Sequence, residues 1–349
     1  MSTVSWPDPA RAEVLHHWLQ GLEPALGLRA DTLRPASEDA STRRYLRLDS
    51  ARGPLVLMDA PPASNDLRPF LQVGAQLKQA GLHAPQVLAS STELGFMLLE
   101  DLGDTPYLQA LLQAEPKEAD RLMRAAIGAL VQWQSRADAN SLPAYDEAFV
   151  RRELQIFVDW CVLKEHGRQW SAQQQNWWEM SCKVLVHSML DQPMVAMHRD
   201  YMVRNLMVCE PLPGILDFQD MVRGPICYDI ASLLRDAFIS WDEERELDWA
   251  IRYWEQARRA GLLSSCDFGD DFGEVWRRIE WCGLQRHLKI LGIFCRLKHR
   301  DGKPRYAEDL PRLFAYAIKV STRYVELSPL TQLLQDLRGS LVQDGFSLR

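Results

Sequence analysis

The chain has 349 residues, 47% of them hydrophobic and 25% charged, with 40 basic residues against 47 acidic ones for a formal net charge of −7. That length supports two lobes with separate cores and a cleft between them, and an acidic balance without any dense basic run argues against a nucleic-acid partner. Seven cysteines, at 161, 182, 209, 227, 266, 282 and 295, are odd in number and form no C-x-x-C pair, which is the usage of reduced, buried thiols.

Residues 1–9 lack the basic and apolar regions of a signal peptide, and no stretch reaches the apolar length of a bilayer span. The expected location is therefore cytoplasmic, with no membrane association. In chain order, Val14, Leu15, Trp18 and Leu19 repeat at helical spacing within residues 10–22. Residues 44–48 alternate like a strand and residues 54–58 form a short apolar one. Asn65 or Asp66 begins a helix carrying Leu67, Phe70, Leu71, Val73 and Leu77, which stops at Gly81. Two more strands, 87–89 and 96–99, complete a small antiparallel sheet with one flanking helix, and Glu100-Asp101-Leu102-Gly103 reads as a linker.

Beyond the linker the pattern turns helical, with amphipathic segments near 106–113, 117–138, 146–166, 171–190, 227–239, 242–260, 270–299, 306–326 and 329–343. Twelve tryptophans, nine of them from Trp133 to Trp276, read mostly as packing between helices, with Trp160, Trp177 and Trp178 as candidates to line a mouth.

One polar stretch interrupts the helices: His198-Arg199-Asp200-Tyr201-Met202-Val203-Arg204-Asn205, followed by Leu216-Asp217-Phe218. Residues 206–209 and 214–216 read as short strands and 210–213 as a Pro-rich turn. Such a hairpin returns Asp217 to the end at which Asn205 starts. These are the parts that phosphoryl transfer from a magnesium nucleotide requires, namely a carboxylate to orient an acceptor hydroxyl and oxygen ligands for Mg²⁺. Asp200 fits the first role, Asn205 and Asp217 the second. His198 reads as a brace of the loop, and Asp229 as a cap for the helix that begins near it.

The small mixed first lobe, the linker, HxDxxxxN and the later Asp217-Phe218 together resemble the aminoglycoside phosphotransferase family, small-molecule relatives of the protein kinases, over nearly the whole chain. Gly224-Pro225 and Tyr228-Asp229-Ile230-Ala231 also look like that family's segments. The resemblance implies an α+β, two-lobed protein-kinase-like fold. A small antiparallel-sheet lobe, 1–100, would bind nucleotide, and a large, mainly helical lobe, 101–349, would hold the acceptor and the catalytic group. It implies ATP and Mg²⁺ as cofactors, catalytic Asp200, metal ligands Asn205 and Asp217, and adenine held by linker backbone from Glu100 to Leu102. Residues 39–45 and 57–62 most resemble the family's bacterial amino-sugar kinases, which act on the anomeric hydroxyl of N-acetylmuramate and N-acetylglucosamine in cell-wall recycling. The acceptor is then a small amino sugar, and no obligatory protein partner is evident.

Two departures from the family matter. Met58 stands where relatives place a phosphate-binding Lys, and residues 66–80 offer no Glu to pair with one; no full GxGxxG occurs either. Ser41, Arg43 and Arg44 are the candidates to meet the phosphates instead, because a guanidinium fork suits phosphate oxygens. Asp220 and Arg223 are candidates for the acceptor side, Arg223 toward the lactyl carboxylate of N-acetylmuramate; the competing reading is a pair of loop-bracing ions. Two alternatives stand beside the amino-sugar reading: a kinase for another small hydroxyl compound such as an aminoglycoside or choline, and a nucleotide-binding pseudokinase.

Overall fold

The computed structural model describes residues 4, 6, 8–37 and 43–342, with side chains described as far as Leu337. The chain divides into two compact units, Met1–Tyr107 with Asn205–Asp220, and Leu108–Arg204 with Met221–Arg349. The first carries an antiparallel sheet and the second is mainly helical, the α+β arrangement expected.

In the first unit, α1 (Pro9–Leu26) starts on Asp8, whose side chain accepts from Ala10 N, and stops at Gly27 in the left-handed conformation at φ 61°. Then come β1 (Leu28–Ser37), β2 (Arg44–Ser50), β3 (Gly53–Asp59), α2 (Arg68–Gln79), β4 (Val87–Ser91) and β5 (Phe96–Glu100). The strands form one sheet in the order β1-β2-β3-β5-β4. Alternation along the strands puts Leu46, Leu48, Leu55, Leu57, Phe96 and Leu98 into one core with Leu15 and Leu19 of α1. Each leucine buried this way contributes about 1.5–3 kcal/mol. The register places Tyr45, Met58 and Met97 side by side on the opposite face.

β1 was not expected from the sequence. Its pairing with β2 breaks register between Arg29 and Arg34 and again between Pro35 and Ser37, so its two buried leucines, Leu28 and Leu33, show no period of two. α2 starts close to the expected place, with Asp66 Oδ1 accepting from Arg68 N at 2.9 Å.

In the second unit, α3 (Tyr107–Gln113), α4 (Pro116–Arg136), α5 (Glu147–Ile156), a π-helical continuation Phe157–Glu165, and α6 (Ala172–Leu190) precede the polar loop. After it come α7 (Cys227–Leu234), α8 (Glu243–Arg259), α9 (Phe272–His299), α10 (Leu310–Arg323) and α11 (Ser328–Val342). Local caps explain several starts: Asp146 for α5, Asp271 for α9, and for α6 a reciprocal box between Ser171 and Gln174. α9 is buried almost continuously from Val275 to Cys295, packed among α5, α6, α7, α8 and α10. It is therefore a central helix, buried more completely than the amphipathic segment read at 270–299 implied.

All seven thiols are free, five of them buried and Cys209 and Cys266 half-buried. Trp249 and Trp276 are core residues, and Trp178 is buried with its ring 5.6 Å from Phe157 and 5.4 Å from Trp170 rather than lining a mouth. Among the described residues no helix is long and apolar enough to cross a membrane.

Where α5 passes into its π-helical continuation, α9 approaches through Gly292. A Cβ there would lie 2.3 Å from Ile156 O and 2.7 Å from Phe157 N, both backbone atoms that cannot swing aside. Gly292→Ala is expected to cost about 1–3 kcal/mol through this overpacking, read as a melting temperature several degrees lower; an unchanged melting curve would refute the close approach.

Candidate active site

In the helical unit, the strand Met194–Met197, paired with Val222–Pro225, delivers the chain directly into His198-Arg199-Asp200. Arg199 takes the left-handed conformation at φ 73°, which a side chain with a Cβ adopts only at a cost. Asp229 holds it there. Its carboxylate accepts from His198 N at 2.6 Å through Oδ2 and from Arg199 N at 3.0 Å through Oδ1. The capping role expected for Asp229 is thus replaced by one at a distance: the carboxylate reaches across to the loop, and the Ile226 position that opens α7 has no side-chain cap. Asp229 is wholly buried, which pushes its carboxyl up to about 7, while the two N–H donors and Arg286 pull the other way.

Asp200 is about one-third exposed at 35%. Its Oδ1 accepts from Arg286 Nη1 at 3.2 Å, and the same nitrogen donates to Arg199 O at 3.3 Å. Burial works against the charge on Asp200, but Lys289, Arg286, Arg199 and His198 outweigh it and hold the carboxyl well below the usual carboxylate range. Lys289 is itself held by Tyr228 Oη at 3.1 Å and Glu153 Oε1 at 3.5 Å. Glu153 also accepts from Tyr145 Oη at 2.6 Å, Gln285 Nε2 at 3.0 Å and Arg199 Nη2 at 3.2 Å. Sequence reading missed Glu153, Arg286 and Lys289. The available signal was in α9, where Arg286 and Lys289 lie three residues apart, and therefore on one side, in a stretch rich in apolar residues.

Asn205 and Asp217 belong to the sheet-bearing unit. The hairpin is shorter than expected, Leu206–Met207 against Gly214–Ile215, closed by Leu216 N donating to Asn205 O at 2.9 Å. It brings the two side chains together, Asn205 Nδ2 lying 3.5 Å from Asp217 Oδ2. Asp217 is left-handed at φ 58°, and buried Gln219 donates to its Oδ1 at 2.8 Å and to Asp220 Oδ2 at 3.3 Å. Phe218 packs its ring 4.6 Å from Phe70 of α2, anchoring the chain next to Asp217. Hard oxygen donors on Asn205 and Asp217 fit Mg²⁺. Among the described residues no group of three or more His, Cys, Asp or Glu could hold a metal ion; an ion at Asn205 and Asp217 would have to take its remaining ligands from water and phosphate.

Of the other candidates, Ser41 lies outside the described residues. Arg43 is half-buried just before β2. Arg44 is on the α1 side of the sheet, its guanidinium 4.4 Å over the Trp6 ring and 4.0 Å from Asp59. Met58 is fully buried. Glu100 ends β5, its carboxylate accepting from Gln86 N at 3.2 Å and lying 3.4 Å from His83 Nε2, and Leu102 is buried. Arg47, not singled out in sequence, braces the linker through Asp101 at 2.6 Å and Gly103 O at 2.9 Å. Asp220 and Arg223 are both exposed; Arg223 lies in the strand paired with Met194–Met197.

Residues 32–264 match the phosphotransferase enzyme family, and the chain belongs to that family. Its fold is kinase-like. An ADP-bound aminoglycoside phosphotransferase superposes with a TM-score of 0.58 at 13% identity, covering 86% of this chain and 96% of that one. An ethanolamine kinase from Plasmodium vivax gives 0.57 at 11%, covering 87% of each. In sequence the chain is similar over nearly its full length to the N-acetylmuramate/N-acetylglucosamine kinases of Pseudomonas aeruginosa and Neisseria meningitidis, each 45% identical over 95% of this chain and 98% of the relative.

The Asp229 clamp carries a prediction. In Asp229→Asn one of the two carboxylate acceptors becomes an NH₂ group facing an N–H, leaving a buried donor unmet at about 1–3 kcal/mol. Stability should fall by that amount, and turnover about 10–100-fold as the loop loses its geometry. With a folded value near 7 against an ordinary 3.8, Asp229 binds more protons folded than unfolded between those limits. Its contribution to stability therefore declines as pH rises from about 4 to 7. The Asn variant should lack that decline when melting temperature is followed across the same window; an unaltered pH profile would refute the assignment.

Proposed function

We propose that the protein is an amino-sugar kinase that transfers the γ-phosphoryl group of ATP to the anomeric hydroxyl of N-acetylmuramate and N-acetylglucosamine, serving the recovery of cell-wall sugars. The observation that carries this reading is the 45% identity, over 95% of the chain, to kinases named for those two sugars. The likeness to aminoglycoside and ethanolamine kinases, at 11–13% identity, bears on fold alone.

Nucleotide binding is assigned to the sheet-bearing unit and the acceptor to the helical one. Linker backbone from Glu100 to Leu102 pairs with adenine, and Ser41 and Arg43 meet the phosphates. Arg44, engaged with Trp6 and Asp59, is the weaker of the two arginine candidates. Asn205 and Asp217 would hold Mg²⁺; bound there, the ion supplies positive charge to the β and γ phosphate oxygens. Asp200 accepts a hydrogen bond from the sugar hydroxyl and aims its oxygen at the γ-phosphorus. The new P–O bond forms as the bond to the ADP oxygen breaks, and the proton passes to Asp200 once the hydroxyl has become acidic. A loose transition state asks for orientation more than for a strong base, and this agrees with a carboxylate held ionised by the neighbouring Lys289, Arg286 and Arg199. Asp220 and Arg223 face the acceptor, Arg223 toward the lactyl carboxylate.

Incubation with MgATP and each sugar, followed by phosphorus NMR, should give a sugar 1-phosphate and ADP, with no product from an aminoglycoside or choline; phosphate on any other position would refute the regiochemistry. Asp200→Ala should lower turnover by about 10²–10⁴-fold with nucleotide binding retained. Asp217→Ala should instead weaken calorimetric MgATP affinity by at least about tenfold, and wild-type affinity would remove it as a ligand.

A further inference from the structure

We infer that Arg286 of α9 is a positioning residue for catalysis, fixing Asp200 Oδ1 and the backbone beside it so that the carboxylate keeps the orientation in which it meets the acceptor hydroxyl. The inference rests on the phosphotransfer role assigned to Asp200. Its basis is contact. Arg286 Nη1 bridges Asp200 Oδ1 at 3.2 Å and Arg199 O at 3.3 Å, while Nη2 lies 3.5 Å from Met202 Sδ. One planar group thus touches three residues of a four-residue stretch, 199–202.

The guanidinium is almost completely buried, at 1% exposure, whereas the carboxylate it holds is 35% exposed. An arginine serving only as a surface ion would not be taken out of water in this way, since its desolvation must be offset by several directed bonds. α9 is a rigid platform for it, enclosed by α5, α6, α7, α8 and α10. The charges around the carboxylate come from three other places as well: Arg199 and His198 in the loop itself, Asp229 in α7, and Lys289 one turn further along α9 with its partners Glu153 of α5 and Tyr228 of α7. Lys289 supplies charge with its own bonds spent on Glu153 and Tyr228. Arg286 donates to Asp200 directly, and the same Nη1 also holds the carbonyl of left-handed Arg199.

A lysine at 286 keeps the charge but lacks the planar group that aims Nη1 at both acceptors and sets Nη2 against Met202, and a methionine keeps the volume without any donor. Arg286→Met should lower kcat about 100-fold while KM for ATP and for the amino sugar stays within roughly threefold, because orientation rather than binding is lost. Arg286→Lys should recover part of that loss. In an Asp200→Asn background, Arg286→Met should add no more than about twofold, since the group it positions is already gone. A second full 100-fold loss on that background, or a wild-type kcat in Arg286→Met, overturns the inference. If Arg286→Met fails to fold, Arg286→Lys decides: a drop in kcat of at least about fivefold at unchanged KM supports it, and wild-type kcat overturns it. Full activity in Asp200→Asn alone would instead overturn the role of Asp200 and leave the Arg286 comparison without a catalytic group to position.

Discussion

The polar loop of the helical unit depends on one buried carboxylate. Asp229 sits in the first turns of α7, fully out of water, and its two oxygens take the backbone N–H groups of His198 and Arg199. Two successive amides that converge on one carboxylate require an abrupt turn of the chain, and Arg199 supplies it at φ 73°. The strain is stable only because the carboxylate has no better partner: left unpaired, it would be a buried charge costing several kcal/mol. Asp236 repeats the device two turns on, accepting from Val203 N at 3.2 Å and Phe238 N at 2.7 Å. The polar loop is therefore pinned by side chains from beyond it as well as by its own Met202 N–H to Asp200 O bond at 2.9 Å.

A second consequence concerns charge. Burying carboxylates around the loop would drive them to protonate, and for Asp229 and Asp236 burial does push the carboxyl upward. Asp200 goes the opposite way because α9 delivers Arg286 and Lys289 beside it. The helix that forms the centre of the unit thus also sets the ionisation of the group proposed to act. Such a carboxylate is a poor general base and a good hydrogen-bond acceptor, the combination that phosphoryl transfer can use and that proton abstraction from carbon could not.

Much of this was legible from local pattern. The spacing from His198 to Asn205 and the strand-turn-strand to Asp217 are contiguous in sequence, so periodicity and turn residues sufficed to foresee that Asn205 and Asp217 meet. The helices of the second unit were placed within a few residues for the same reason. What escaped were features fixed by partners far along the chain. β1 has leucines five apart because its register slips twice against β2. Asp229 looked like a cap because caps are local, whereas its true bonds lie about thirty residues upstream. Arg286, Lys289 and Glu153 were not singled out, and only the enclosure of α9 shows that Lys289 meets Glu153 and that Arg286 meets Asp200.

The missing phosphate-binding lysine has a similar logic. In a kinase-like sheet, a lysine on the third strand is tolerable when a helix glutamate pairs with it; alone, either one would be costly where burial is deep. Here both positions are neutral. Met58 is wholly buried between its register neighbours Tyr45 and Met97, and α2 turns Phe70, Val73 and Leu77 inward with no glutamate among its residues. The loss is concerted, leaving no orphaned charge. The nearby acid Asp59 is already taken by Arg11 at 2.8 Å. The sheet face at this position is thus apolar packing, and the third strand offers no cation there.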